Sequence, residues 1–161
     1  MPVPIRAAAT PADFAQARTL FEEYAAWLAV DLCFQGFAEE LATLPGSYAP
    51  PGGMLLLAGP PDAVVGCIAL RPLAEAASAA GTTGEVKRLY VRPAARRTGL
   101  GGRLVQSVID GARSRGYREL KLDTLDRMAD ARALYANLGF RECAPYYHNP
   151  IPGAVYMSLV L

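Results

Sequence analysis

Histidine is nearly missing from this chain: His148 is the only one among 161 residues. The three cysteines, Cys33, Cys67 and Cys143, are odd in number and far apart. They form neither a zinc-ligand spacing nor a disulfide framework, so reduced, partly buried thiols and no metal are expected. Charge of one sign is not in excess either. Sixteen Lys and Arg stand against fifteen Asp and Glu, a net charge of +1, which excludes nucleic-acid binding by bulk positive charge. No uncharged apolar run is long enough to cross a bilayer, and the N-terminus lacks the apolar core of a signal peptide. A cytoplasmic protein with no membrane and no nucleic-acid partner is the expectation. Internal repeats and low-complexity segments are absent as well.

What is there is a globular composition, 52% hydrophobic and 19% charged, long enough for one domain with a proper core, taken as 1–161. Residues 5–9 suit a short strand. Thr10-Pro11-Ala12-Asp13 then opens a helix, with Thr10 as N-cap, Pro11 at the first helical position and Asp13 in the first turn. Phe14, Ala17, Phe21, Tyr24 and Leu28 mark its buried face by their steps of three and four. Phe37, Leu41 and Leu44 predict a shorter helix stopped by Pro45-Gly46. The stretch 31–35 between the two is too short for an element of its own. Met54–Ala58 and 64–70 are apolar runs around the turn Gly59-Pro60-Pro61-Asp62, which predicts an antiparallel hairpin. Residues 74–84 have no periodicity and suit a mobile loop. A strand at 85–91, a helix from about Leu100 to a cap at Gly116, and a strand alternating Leu120, Leu122 and Thr124 with charged residues follow. That order predicts a parallel crossover unit. A helix over about 130–138 ending at Gly139, a short strand at 140–143 and a last strand carrying Val155, Met157, Leu159 and Leu161 complete the chain.

The most informative stretch is Arg96-Arg97-Thr98-Gly99-Leu100-Gly101-Gly102. Its glycines let the backbone approach a ligand closely, and a helix start adds unpaired N–H donors and a positive dipole end. A strand, a basic glycine-rich turn and a helix in that order can hold a phosphate or pyrophosphate, although a purely structural tight turn is also open. The P-loop string Gly-x-x-x-x-Gly-Lys-Ser/Thr does not occur. The dinucleotide fingerprint fails at its third position, where Leu104 stands in place of a small residue.

Leu89-Tyr90-Val91-Arg92-Pro93 followed by Arg96-Arg97-Thr98-Gly99-Leu100-Gly101 and a helix resembles the acyl-CoA-binding motif of the GNAT superfamily of N-acyltransferases, Gln/Arg-x-x-Gly-x-Gly/Ala. Downstream, Ala133-Leu134-Tyr135-Ala136-Asn137-Leu138-Gly139-Phe140 is similar to that family's second signature, at the right distance. The resemblance implies a mixed α/β (α+β) domain: a mostly antiparallel twisted sheet with helices on both faces, splayed where the strands holding Glu85 and Glu119 part. It implies N-acetyl transfer from acetyl-CoA to a primary amine by direct attack, with no metal. A ping-pong route would need a cysteine, and none lies in the motifs.

By the same resemblance, the backbone N–H groups of Arg97, Thr98, Gly99, Gly101 and Gly102, helped by Arg96, would hold the CoA pyrophosphate. The backbone of Leu89 and Val91 would pair with the pantetheine arm, and Asn137 would add a side-chain contact or else help end its helix. Tyr135 would protonate the departing thiolate, or else pack beneath the sheet. An amine must lose a proton before or as it attacks. Glu85 is the carboxylate best placed in sequence for that, against a reading as a solvated strand-end charge. Met128 stands seven residues before the tyrosine where many family members carry asparagine. Asp31, Glu39 and Glu40 suit attraction of a cationic substrate or an ordinary surface. His148, in Tyr146-Tyr147-His148-Asn149-Pro150, suits a base, a substrate contact or simple exposure. The acceptor, a small-molecule amine or a peptide, is not encoded in any diagnostic pattern, and monomer and homodimer are both open. A non-catalytic acyl-CoA-binding module is the alternative from another class.

Overall fold

The computed structural model describes residues 2–73 and 82–161. Most of the segment 74–84, read from sequence as a loop, lies outside the described residues. Its last two residues, Thr83 and Gly84, belong instead to a strand.

Seven strands form one sheet: β1 (Ile5–Ala7), β2 (Met54–Ala58), β3 (Gly66–Pro72), β4 (Thr83–Val91), β5 (Glu119–Leu125), β6 (Arg141–Glu142) and β7 (Ala154–Val160). Their spatial order is β1-β2-β3-β4-β5-β7-β6. Every neighbouring pair is antiparallel except β4 and β5, which run parallel on either side of a crossover helix. Among the described residues four α-helices accompany them: α1 (Pro11–Leu28), α2 (Phe37–Thr43), α3 (Leu100–Ser114) and α4 (Ala129–Asn137). The expected mixed, mostly antiparallel sheet with helices on both faces is the observed one.

The period-two alternation of the strands gives the sheet two packed faces. On one face Leu56, Ile68, Leu70, Val86, Leu120 and Leu122 meet the buried stripe of α3, with Leu104, Val105, Val108 and Ile109 at its centre. On the other, Leu55, Leu57, Cys67 and Ala69 meet Ala17, Leu20 and Phe21 of α1. The start of α1 is fixed by a capping box. Thr10 Oγ1 accepts from Asp13 N–H at 3.1 Å, and Asp13 Oδ2 accepts from Thr10 N–H at 3.2 Å. Arg6 binds the other Asp13 oxygen at 2.8 Å, and with these donors the carboxyl is held well below the usual carboxylate range.

Two local features shape the middle of the sheet. Parallel pairing of β4 and β5 covers only Thr83↔Glu119, Gly84↔Leu120 and Glu85↔Lys121. Beyond it residues 86–91 and 122–125 diverge and leave a fork. Within β4, the register against β3 passes from Ala69↔Lys87 to Cys67↔Tyr90, so β4 holds one residue more than β3 over that step. This bulge falls at Arg88, whose φ of 61° is left-handed. The stretch 31–35 is also structured, contrary to expectation: Cys33–Gln35 form one 3-10 turn, begun by the Asp31 carboxylate accepting from Cys33 N–H at 2.9 Å. A short Asx-type turn of this kind carries no hydrophobic period and so leaves no trace in the pattern.

Candidate active site

The fork between β4 and β5 opens into a cavity of about 660 Å³. Residues 86–91 form one wall, and Asp123, Thr124 and Leu125 the facing one. Arg96, Arg97, Gly99, Leu100, Gly101 and Gly102 close one end, α4 contributes Leu134 and Tyr135, and Gln35 and Asn149 lie on the lining as well.

At the glycine end, α3 starts without a side-chain cap. Gly99 is its N-cap, at φ 82°, a conformation glycine adopts without strain. The first bond of the helix runs from Arg103 N–H to Gly99 O at 3.1 Å. The N–H groups from Arg97 to Gly102 therefore find no acceptor among the described residues, and the helix dipole adds to their positive potential. A Cβ at Gly99 or Gly102 would stand in open space, while one at Gly101 would meet Leu134 Cδ1 at 3.1 Å. Six unpaired donors around a turn without side chains fit a pyrophosphate-sized anion. Thr98 is off the lining, because its hydroxyl donates to Ala95 O at 2.8 Å; only its backbone N–H belongs to the turn.

Arg92 N–H pairs with Val65 O at 2.8 Å, so the neighbouring edge of Val91, and of Leu89 two residues earlier, faces away from β3 and into the fork. The Val91 carbonyl is already engaged there by Arg96 Nε at 2.8 Å. The Arg96 guanidinium lies over Trp27, 4.8 Å from its ring centre, and near Tyr90. It therefore straps the glycine turn to β4 and α1.

Tyr135 is buried beside Phe140, ring centres 5.6 Å apart, and borders the cavity. Its hydroxyl has no hydrogen-bond partner among the described residues, and burial raises its pKa above the ordinary phenol value. Asn137 does not join it. It sits in the last turn of α4, exposed, two residues and about 200° of helix rotation beyond Tyr135.

Glu85 is not a solvated strand end. It is 2% exposed, with Oε1 accepting from Arg71 Nε at 2.8 Å and Oε2 from the Tyr146 hydroxyl at 2.7 Å. It lies just behind the cavity wall, with Lys87 Nζ 3.9 Å away. A carboxylate with both oxygens occupied and no exposure on the cavity is not set to meet an incoming amine directly.

Residues beyond those motifs complete the site. Lys87 Nζ donates to Gln35 Oε1 at 3.0 Å and lies 3.7 Å from Asp123 Oδ1. Burial lowers the Lys87 pKa, partly offset by the Glu85 and Asp123 charges. Arg88 binds Glu40 through Nε at 2.9 Å and Nη2 at 3.0 Å, and Gln35 Oε1 at 2.8 Å. Burial opposes its charge, but the fork-on-carboxylate contact outweighs this and leaves its pKa raised. Asp123 Oδ2 accepts from the Tyr147 hydroxyl and from Asn149 Nδ2, the latter at 2.8 Å. Tyr147 stacks on Phe34 and accepts from Gln35 Nε2 at 3.1 Å, so the loops at 29–36 and 144–153 meet above the network. His148 is exposed and off the lining, as is Glu39. A trace of this network is visible in the sequence: charged residues at every second position, Glu85/Lys87 and Lys121/Asp123, place two pairs on one face of adjacent strands.

A fork between parallel strands thus opens beside an uncapped helix start and a buried tyrosine whose hydroxyl has no partner among the described residues. The acetyltransferase (GNAT) family model matches residues 16–140, and the chain belongs to that family; it is an acetyltransferase. An uncharacterized N-acetyltransferase of Schizosaccharomyces pombe is 40% identical over 98% of this chain and 94% of its own. A crystal structure of an acetyltransferase from Streptococcus agalactiae superposes with a TM-score of 0.79, at 21% identity, over 100% of this chain and 99% of that one. A GNAT family acetyltransferase of Elizabethkingia anophelis, solved with acetyl-CoA bound, is 25% identical with a TM-score of 0.55 over 68% and 77% of the two chains. Among the described residues no helix is long and apolar enough to cross a membrane, and no group of three or more His, Cys, Asp or Glu is placed to hold a metal ion.

Proposed function

We propose that this protein transfers the acetyl group of acetyl-CoA to a primary amine by direct attack of the amine on the thioester. The observation that carries the reading is the row of unpaired N–H groups from Arg97 to Gly102 at the end of the β4–β5 fork. The donor pyrophosphate sits on those groups, with Arg97 beside them. The pantetheine arm runs along the inner edge of β4, pairing with the peptide groups of Leu89 and Val91, once Arg96 releases the Val91 carbonyl or shares it. Fixing a flexible arm in this way brings the thioester within reach of the amine and removes the entropy of a chance encounter.

As the tetrahedral intermediate collapses, the sulfur leaves as a thiolate and takes a proton from the Tyr135 hydroxyl. The raised pKa of this phenol keeps it protonated over the physiological range. Glu85 acts as a positioning residue, holding Arg71, Lys87 and Tyr146 around the closed end of the fork. The bonding of Glu85 takes its carboxylate out of direct contact with the reacting atoms.

The test is titration of acetyl-CoA into the protein by calorimetry, followed by an amine panel read by thiol release and product mass. Binding with turnover supports the transferase reading. Binding with no turnover on any amine favours an acyl-CoA sensor or scaffold, and absence of binding overturns the cradle assignment.

A further inference from the structure

Among the described residues the cavity lining carries two carboxylates, Asp123 and Asp130. Asp130 is exposed in the first turn of α4. Asp123 stands directly past the last paired residues of the fork, its side chain 8% exposed. Its two oxygens differ. Oδ2 is held by Tyr147 and Asn149, whereas Oδ1 accepts no hydrogen bond among the described residues and has Lys87 Nζ no nearer than 3.7 Å.

The charges around it cancel. Arg71, Lys87 and Arg88 face Glu40, Glu85 and Asp123, and each is engaged in at least one ion pair. Within this network no cation is left over to receive a carboxylate or phosphate on an acceptor, and no anion is left over to receive a second ammonium. Above this neutral floor the wall is apolar: Leu28, Leu32 and Leu125 are buried against one another, with Ile151 packed on them, and all four border the cavity. An unpaired charge brought against such a wall keeps its desolvation cost.

Resting on the N-acetyltransferase reading, we infer that Asp123 Oδ1 receives the acceptor nitrogen, and that the acceptor is a small primary amine on an apolar body with no second charge. The bonding balances. The ammonium first gives one proton to solvent; the neutral nitrogen then forms a bond to the acetyl carbon, the carbon–sulfur bond breaks, one nitrogen-bound proton passes to Asp123 Oδ1, and the sulfur receives one from Tyr135. Solvent then restores both side chains. The cavity of about 660 Å³ also has to hold the donor arm, which leaves room for an amine of modest size.

The experiment compares hexylamine and 2-phenylethylamine with lysine, glutamate, spermidine and kanamycin as acceptors for the full chain with acetyl-CoA. The two apolar monoamines should show kcat/KM at least tenfold above every charged acceptor. Asp123→Asn should lower kcat/KM for the better monoamine at least a hundredfold while leaving the Kd of acetyl-CoA within twofold. Because that variant also weakens the buried network, Ile151→Glu gives an independent readout. It puts a free carboxylate on the apolar wall and should raise the ratio of 1,6-diaminohexane to hexylamine turnover at least tenfold. A wild-type preference for charged acceptors, a folded Asp123→Asn with unchanged kcat/KM, or an unchanged ratio in Ile151→Glu overturns the inference and leaves the transferase reading standing. Acetyl-CoA binding with no turnover on any of the six overturns both, and loss of the inference alone is thereby distinguishable.

Discussion

The Tyr146 hydroxyl donates to Glu85 Oε2 at 2.7 Å across 61 positions of sequence. It binds the loop before β7 to the strand that forms the closed end of the fork. Burial, with the Glu85 charge added to it, pushes the Tyr146 pKa above the ordinary phenol range, so the bond persists across neutral and mildly alkaline pH. A hydrogen bond to a buried charged group contributes about 1.5–3 kcal/mol. Tyr146→Phe should therefore lose about 2 kcal/mol in urea unfolding at pH 7. Glu85→Gln should lose more, about 3 kcal/mol, because Arg71 loses its ion-pair partner and Lys87 keeps only Asp123. A double-mutant cycle should return a coupling of about 1 kcal/mol or more between the two positions; strict additivity would mean that the bond adds nothing to stability.

This relationship also marks where the sequence stopped being informative. The strands, the α1 capping box and the α3 stripe were legible because each is written in local periodicity or in a residue with one strong conformational preference. Met54–Ala58 forms a strand over the span its apolar run indicated, and Thr10 caps α1 as its side chain predicts. The glycine turn was legible for the same reason. The polar network at the closed end of the fork was not, because it is made by contacts between distant segments. Gln35, Lys87, Asp123 and Tyr147 come from four separate elements or loops, and no spacing links them. Glu85 was singled out for its place on β4, but nothing local told that Arg71 and Tyr146 would occupy its oxygens. The bulge at Arg88 was equally hidden, since arginine is an unusual choice for a left-handed φ and is held there by Glu40 and Gln35.

Tyr135→Phe tests the proton donor. The substitution keeps the ring against Phe140 and removes only the hydroxyl, which has no partner among the described residues to leave unpaired. Loss of a positioned general acid costs about a hundredfold or more. The expected result is a fall in kcat of that size, with the acetyl-CoA Kd within twofold of wild type and the melting temperature unchanged. A variant turning over at the wild-type rate would sink the assignment.

Asp13 supplies a stability difference whose pH dependence has a definite sign. Its folded-state pKa is depressed by Arg6 and by the N–H groups of Ala9 and Thr10. The stabilisation is thus complete above the unfolded carboxyl pKa near 3.9 and fades as pH falls below it toward the folded value. Asp13→Ala should be less stable than wild type by about 2 kcal/mol at pH 7, from the lost cap and ion pair together. The gap should narrow between about pH 4 and pH 2. Denaturant midpoints at both ends of that window measure it, and a gap that widens on acidification would contradict the assigned cause.

The anion cradle is best probed at Gly102. Gly101 lies deeper in the turn, but a side chain there must displace Leu134, whose Cδ1 a Cβ would meet at 3.1 Å. Lost binding in a Gly101 variant would therefore confuse repacking with electrostatics. Gly102 borders the same cavity, sits within α3, and would point a Cβ into open space. Gly102→Ala should leave the fold intact and, by replacing glycine inside a helix, raise stability by about 0.5–1 kcal/mol. Gly102→Glu places a negative charge among the N–H groups that are to receive the pyrophosphate, where the helix dipole and the arginines would otherwise favour the ligand. It should keep the wild-type circular dichroism spectrum and weaken acetyl-CoA binding at least about tenfold, or about 1.4 kcal/mol, by calorimetry. Added salt should narrow the difference between the Ala and Glu variants, since screening weakens a charge repulsion but leaves a steric block untouched. If the two variants bind acetyl-CoA equally well, the pyrophosphate lies elsewhere and the unpaired donors of the turn serve another ligand.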